Sequence, residues 1–80
     1  MENRSLTPAD IGTLVRTTRK AQHLKQQDLA GAAGVGLRFL VDLEAGKPTA
    51  QIGKTLDVLR ALGCSIDIRS PSGAPTERKP

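Results

Sequence analysis

Apolar residues recur along this chain with a period of three to four, and the period changes once, near the C-terminal end. Ile11, Leu14, Val15 and Thr18 fall at i, i+3, i+4 and i+7, the core stripe of a first helix. Its start is marked by Thr7-Pro8-Ala9-Asp10: a hydroxyl cap, a proline at the first helical position, and an acid near the positive end of the helix dipole. Two short helices are expected over about residues 26–33 and 37–45, with Gly46 closing the second and Lys47-Pro48 preventing its continuation. Thr49 can cap a further helix whose buried stripe is expected from Ile52, Leu56, Leu59 and Leu62, with Val58 at the margin and Gly63 as the stop. In Cys64 to Arg69 the period drops to two, with Cys64, Ile66 and Ile68 alternating with Ser65, Asp67 and Arg69, as in a half-buried strand. No second strand is legible. Its backbone would then be paired by the same strand of a second copy about a two-fold axis, or the segment would lie as an extended tail on the last helix. The fold class expected is all-α, a compact domain of four to five helices with a short C-terminal β-strand that pairs across a homodimer.

The middle of this pattern, Gln26 to Ala45 (QQDLAGAAGVGLRFLVDLEA), is that of a helix-turn-helix. Leu29, Ala33, Val35, Leu40 and Leu43 let two short helices share a core, and Ala30 is small where the helices approach most closely. Gly34 suits the left-handed conformation that ends the first of them sharply.

With 80 residues the chain is one small domain, marginal when alone, which favours a dimer. One Phe, no Trp and no Tyr make stacking on unpaired bases a poor option. The net charge of +4 fits a polyanion partner without demanding one. Cys64 is the only cysteine and His23 the only histidine, so neither an intrachain disulfide nor a zinc ligand set is available, and no metal or cofactor is expected. The N-terminal residues lack an apolar signal segment and no stretch is long enough to span a bilayer, so a cytoplasmic protein without membrane contact is expected. The carboxylates are spread over separate elements, with no nucleophile–base pair or phosphate loop, which argues against an enzyme. Residues 1–69 are expected to form the DNA-binding and dimerisation domain. From Ser70 onward three prolines among small and charged residues cannot build a core, and residues 70–80 are expected to be a disordered tail.

In a helix-turn-helix the second helix enters the major groove by its N-terminal end while the first crosses the backbone. Gln26 and Gln27 are then placed to meet a phosphate with backbone N–H groups and side-chain amides. Gly36, Leu37, Arg38 and Val41 occupy the leading edge of the second helix. Arg38 is the strongest base reader because its forked donors match O6 and N7 of guanine, and Leu37 or Val41 suits a thymine methyl. Asp42 can accept from cytosine N4 or repel phosphate. Lys25, Lys47 and Lys54 are either phosphate partners or ordinary surface charges. Arg19 can pair with Glu44 in a structural role, whereas Arg16 and Lys20 read as a solvated face.

From Ile11 to about Ile68 the chain resembles the Xre-type helix-turn-helix family, and within it the HipB-like antitoxins. The residues that carry the resemblance are LVRTTRKA in the first helix, LKQQDLAGAAGVGLRFLVDLEAGKPT in the motif and GKTLDVLRALG in the last helix, followed directly by the strand. The resemblance implies a lambda-repressor-like domain, a dimer joined through the C-terminal strand, and repression of its own operon at inverted-repeat operators in double-stranded DNA. It also implies a partner, a HipA-like serine/threonine kinase toxin held inactive by the antitoxin. By position, Gln26 matches the glutamine that opens the backbone-contacting helix, and Gly36, Leu37, Arg38 and Val41 match base-reading positions. Two departures stand out: Lys25 replaces the usual Thr or Ser cap, and Leu37 and Val41 are apolar where relatives are often polar. A stand-alone Xre-type or phage-type repressor is the alternative reading.

Overall fold

The computed structural model describes residues 6–71. Among the described residues four helices follow one another, α1 (Pro8–Ala21), α2 (Gln26–Ala33), α3 (Leu37–Glu44) and α4 (Ile52–Ala61). α1 lies against α3, and α2 packs on both α3 and α4. Their shared core is aliphatic: Val15, Leu29, Ala30, Leu40, Leu43, Val58, Leu59 and Leu62 are buried, and Ile11, Leu24, Ala33, Val35 and Phe39 pack around them.

The start of α1 is the one the sequence calls for. The Asp10 N–H donates to Thr7 Oγ1 at 3.1 Å and the Thr7 N–H donates to Asp10 Oδ2 at 3.0 Å, a reciprocal cap. The four helices also end alike. Backbone N–H groups of Leu24, Val35, Lys47 and Cys64 donate back to the carbonyls of Arg19, Ala30, Asp42 and Leu59 at 2.9–3.1 Å. That closure needs a left-handed residue just before each donor. Glycine supplies it after α2, α3 and α4; after α1 it falls to His23, with φ of 60°.

Three expectations are corrected. The spacing puts Leu14 in the core stripe of α1, yet it is 48% exposed, and the neighbouring stripe of Gly12, Val15 and Arg19 is buried instead. The reason is the approach of α1 to α3: a Cβ on Gly12 would sit 2.5 Å from the Leu43 carbonyl oxygen and 2.8 Å from that of Glu44, so only glycine lets the two backbones meet. In α4 the buried stripe is Thr55, Val58, Leu59 and Leu62, whereas Ile52 is 75% exposed and Leu56 lies at the surface. Thr55 tolerates burial because its hydroxyl donates to the Gln51 carbonyl at 2.8 Å. Finally, Thr49 does not cap α4; the helix begins later, after Gln51.

Residues 64–68 follow α4 without helix or ladder among the described residues, beyond a single bridge at Arg69. The tail expected from Ser70 lies almost wholly outside the described residues. No helix among the described residues is long and apolar enough to cross a membrane.

Candidate DNA-recognition surface

α3 presents two faces. Successive residues step by about 100° around a helix, so Leu40 and Leu43, both buried, set the inward direction and Arg38 points almost directly away from it. The Arg38 side chain is accordingly 86% exposed. Leu37 and Val41 flank it on one side, exposed and half-buried, and Asp42 flanks it on the other. Leu37, Arg38 and Val41 are thus brought together at the leading end of one helix.

Gly36 precedes them as the N-cap, with φ of −72° and ψ of 153°, values open to any residue. A Cβ there would meet nothing within 4 Å. Neither backbone strain nor packing within the chain calls for glycine at this position.

Asp42 is bound to two cations. Its Oδ1 lies 3.4 Å from Arg38 Nε and its Oδ2 lies 3.8 Å from Lys47 Nζ. Lys54, in contrast, holds its ammonium 5.8 Å from the centroid of the Phe39 ring.

Behind this face a second charge pair fixes the helices. Arg19 Nε and Nη2 donate to Glu44 Oε2 and Oε1 at 2.6 and 3.0 Å, while Nη1 donates to the Leu24 carbonyl at 2.7 Å. Both side chains are more than nine-tenths buried. The hydrogen bond to Glu44, helped by its charge and opposed by burial, holds the Arg19 guanidinium even more firmly protonated than usual. The Gln26 amide joins this network, donating to Glu44 Oε1 at 3.1 Å. Its side chain therefore braces α2 against α3, so the Gln26 amide expected to meet a phosphate is engaged within the fold.

That start is half capped. The Asp28 carboxylate accepts from the Lys25 N–H at 3.1 Å, but Lys25 has no acceptor to return, so no side chain caps the opening N–H groups of α2. Gln27 beside them is exposed. An open groove of about 360 Å³ runs from here between α1 and α3, lined by Arg16, Lys20, Gln26, Val41 and Glu44. Arg16 and Lys20 are exposed on its rim, and the α3 carboxylates of Asp42 and Glu44 are engaged by other cations. Only their charge marks these two residues in the sequence. Their place on the rim follows from the burial of Arg19 between them.

A second apolar surface lies at the far end of the chain. Leu56, Leu59, Arg60, Cys64, Ile66 and Ile68 line a depression of about 340 Å³, and Ile66 and Ile68 are 52% and 67% exposed.

Two helices packed on a shared core, with a left-handed glycine between them and an exposed arginine leading the second, define a helix-turn-helix DNA-binding protein. The helix-turn-helix family model matches residues 15–68. The chain belongs to that family, in its Xre type, whose members are DNA-binding transcriptional regulators and not enzymes. It is 72% identical over 71 residues to an uncharacterized HTH-type transcriptional regulator, y4mF, of Sinorhizobium fredii, covering 89% of this chain and 93% of the relative. In three dimensions it is similar to HipB in a solved HipB–O4 20mer complex, with a TM-score of 0.75 at 14% identity over 88% of this chain and 99% of that one. HipB in a HipA–HipB–O2–O3 complex gives the same TM-score, identity and coverage.

Proposed function

We propose that this regulator is a dimeric, sequence-specific repressor of its own operon that also serves as the antitoxin of a HipA-like serine/threonine kinase toxin. The observation that carries the DNA half is the outward face of α3, where Arg38 stands exposed between the apolar Leu37 and Val41 and Asp42. Arg38 reads guanine through its fork, and Leu37 and Val41 meet thymine methyl groups. Gly36, which the fold does not require, lets the helix start approach the base edges closely. Gln26 and Gln27 present backbone N–H groups to a phosphate, and Arg16, Lys20 and Lys47 add phosphate contacts beside them.

The dimer is supported by the apolar surface that one chain leaves uncovered. Cys64, Ile66 and Ile68 pair as a strand with their symmetry mates, and Leu56 is covered with them. Light scattering checks this: Ile66→Asp yields a monomer, and an intact dimer refutes the shared strand.

The antitoxin half is supported by the likeness of the fold to HipB in a complex with HipA. The relative described as a transcriptional regulator favours the second reading, a regulator without a toxin partner. Co-purification of a kinase encoded beside the gene, with loss of its activity in the complex, supports the first; purification of the repressor alone with such a kinase fully active supports the second. For the DNA half the test is fluorescence anisotropy on the duplex upstream of its own gene against a scrambled duplex. Specific repression separates the two by roughly 10³-fold or more at physiological salt.

A further inference from the structure

We propose that Asp42 is a specificity-determining residue, which positions Arg38 for base reading and penalises binding to DNA backbone alone. The inference rests on the reading of α3 as the recognition helix. It starts from a charge arrangement that works against the helix itself. An acid stabilises the first turn of a helix and a base the last. α1 follows this rule with Asp10 at its start and Arg19 and Lys20 at its end, α2 has Asp28 at its start, and α4 has Arg60 at its end. α3 reverses it: Arg38 lies in the first turn, Asp42 lies near the C-terminal end, and no acid opens and no base closes the helix. An arginine four residues before an acid is also the weaker orientation of such a pair. The pair is therefore poorly explained by helix stability.

Its geometry has a different use. Asp42 Oδ1 lies 3.4 Å from Arg38 Nε, the inner nitrogen of the guanidinium, whereas the end-on fork that guanine O6 and N7 accept is formed by the two terminal nitrogens. Without that contact a side chain 86% exposed is a mobile cation, as ready to meet a phosphate as a base. The carboxylate also draws Lys47, 3.8 Å away, and places negative charge on the face that approaches DNA. A phosphate that comes near without a matching base is held less tightly than Arg38 and Lys47 alone would hold it, while the correct base pair is reached through a preset arginine. Discrimination of this kind comes from a repulsive element as much as from an attractive one.

The test works on an operator of any sequence. Wild type, Asp42→Asn and Asp42→Glu are each used to select duplexes from a randomised pool, and each is titrated against its selected duplex and a random duplex of the same length over a range of salt. Wild type is expected to return a two-fold consensus with a guanine in each half-site, and Asp42→Asn to lose preference at that guanine. Asp42→Asn also binds random duplex more tightly and with a steeper salt dependence, so its discrimination falls by roughly tenfold. Asp42→Glu restores the repulsion and most of the discrimination, and the thermal midpoint of both variants stays near that of wild type. An Asp42→Asn protein that selects the wild-type consensus with unchanged random-duplex affinity overturns the proposal while leaving the recognition helix intact. A wild-type protein that selects no consensus overturns the reading of α3 and the role of Asp42 together.

Discussion

Two arginine–carboxylate pairs share helix α3 and face opposite ways. Arg19 and Glu44 are closed in the core, joined by two hydrogen bonds, with a third from Arg19 to the Leu24 carbonyl. Arg38 and Asp42 lie on the outside, with Arg38 Nε 3.4 Å from Asp42 Oδ1 and the arginine almost fully in solvent. The first pair links α1 to the end of α3 and, through Gln26, to the start of α2; among the described residues every buried side-chain donor has an acceptor. Such a pair fixes geometry, because neither charge can leave its partner without being stranded in the core. The outer pair fixes no helix contact. Its arginine stands in solvent, open to a further acceptor while Asp42 stays beside it, as the proposed reading role requires.

Breaking the inner pair is expected to have the largest effect. Arg19→Ala leaves Glu44 buried with only the Gln26 amide, at a cost of about 3–5 kcal/mol, a large part of the roughly 5–15 kcal/mol that holds a small domain together. Urea unfolding monitored by circular dichroism checks it. A loss below about 1 kcal/mol, the range of surface ion pairs, would place the pair in solvent after all. Gly12→Ala attacks the same junction from the backbone side. Its Cβ meets two carbonyl oxygens that belong to α3 main chain and cannot swing aside, so α1 must shift, at about 1–3 kcal/mol. In the same urea assay a variant as stable as wild type would show that α1 and α3 are less closely apposed.

The two sides of this comparison are unequally legible in the sequence. The motif from Gln26 to Ala45 and the cap at Thr7 and Asp10 follow from local rules in which residue type and spacing decide the outcome, whereas Arg19 and Glu44, 25 residues apart, are legible as a pair only through the packing of the helices that carry them. Gly12 escapes the periodicity although its signal is there: a glycine inside a helix costs about 0.5–1 kcal/mol relative to alanine and asks for a reason. The phase of α4 is not decidable in the same way. Ile52, Leu56, Leu59 and Leu62 fit a helical stripe, and so do Thr55, Val58, Leu59 and Leu62, with two residues in common. Hydropathy favours the first set, but the local hydrogen bond of Thr55 removes the cost of burying it. Ile52 and Leu56 are then left on the surface, and Leu56 lies beside Ile66 and Ile68. A reading that assigns every apolar residue to the core of its own chain errs where such residues serve a contact outside it, as the dimer proposal has Leu56 do. Of the proposed recognition face, Gly36, Leu37, Arg38 and Val41 are assigned from position in the motif, whereas the place of Asp42 between Arg38 and Lys47 requires coordinates.

Arg38→Ala tests the outer pair and should leave the fold alone. Specific binding is expected to weaken by about 1–3 kcal/mol, with preference relaxed at one position in each half-site, while the urea midpoint stays where it was. Equal losses on specific and random duplex, measured by anisotropy, would make Arg38 a phosphate contact and remove the functional half of the contrast.

Neutralising the two carboxylates gives the finest separation. Glu44→Gln keeps the shape of the side chain but takes the charge from a guanidinium that is more than nine-tenths buried, and stability falls steeply. In Asp42→Asn two small terms oppose each other. The exposed pair is lost, worth about 0.2–1 kcal/mol, and an acid is removed from the wrong end of a helix dipole, a gain of about 0.3–1 kcal/mol. The net change is expected to lie within about 0.5 kcal/mol, in calorimetry at low salt, and to shrink further as salt screens both terms. A loss of several kcal/mol on Asp42→Asn would mean that the outer carboxylate supports the fold as the inner one does, and that α3 has no face free of structural duty.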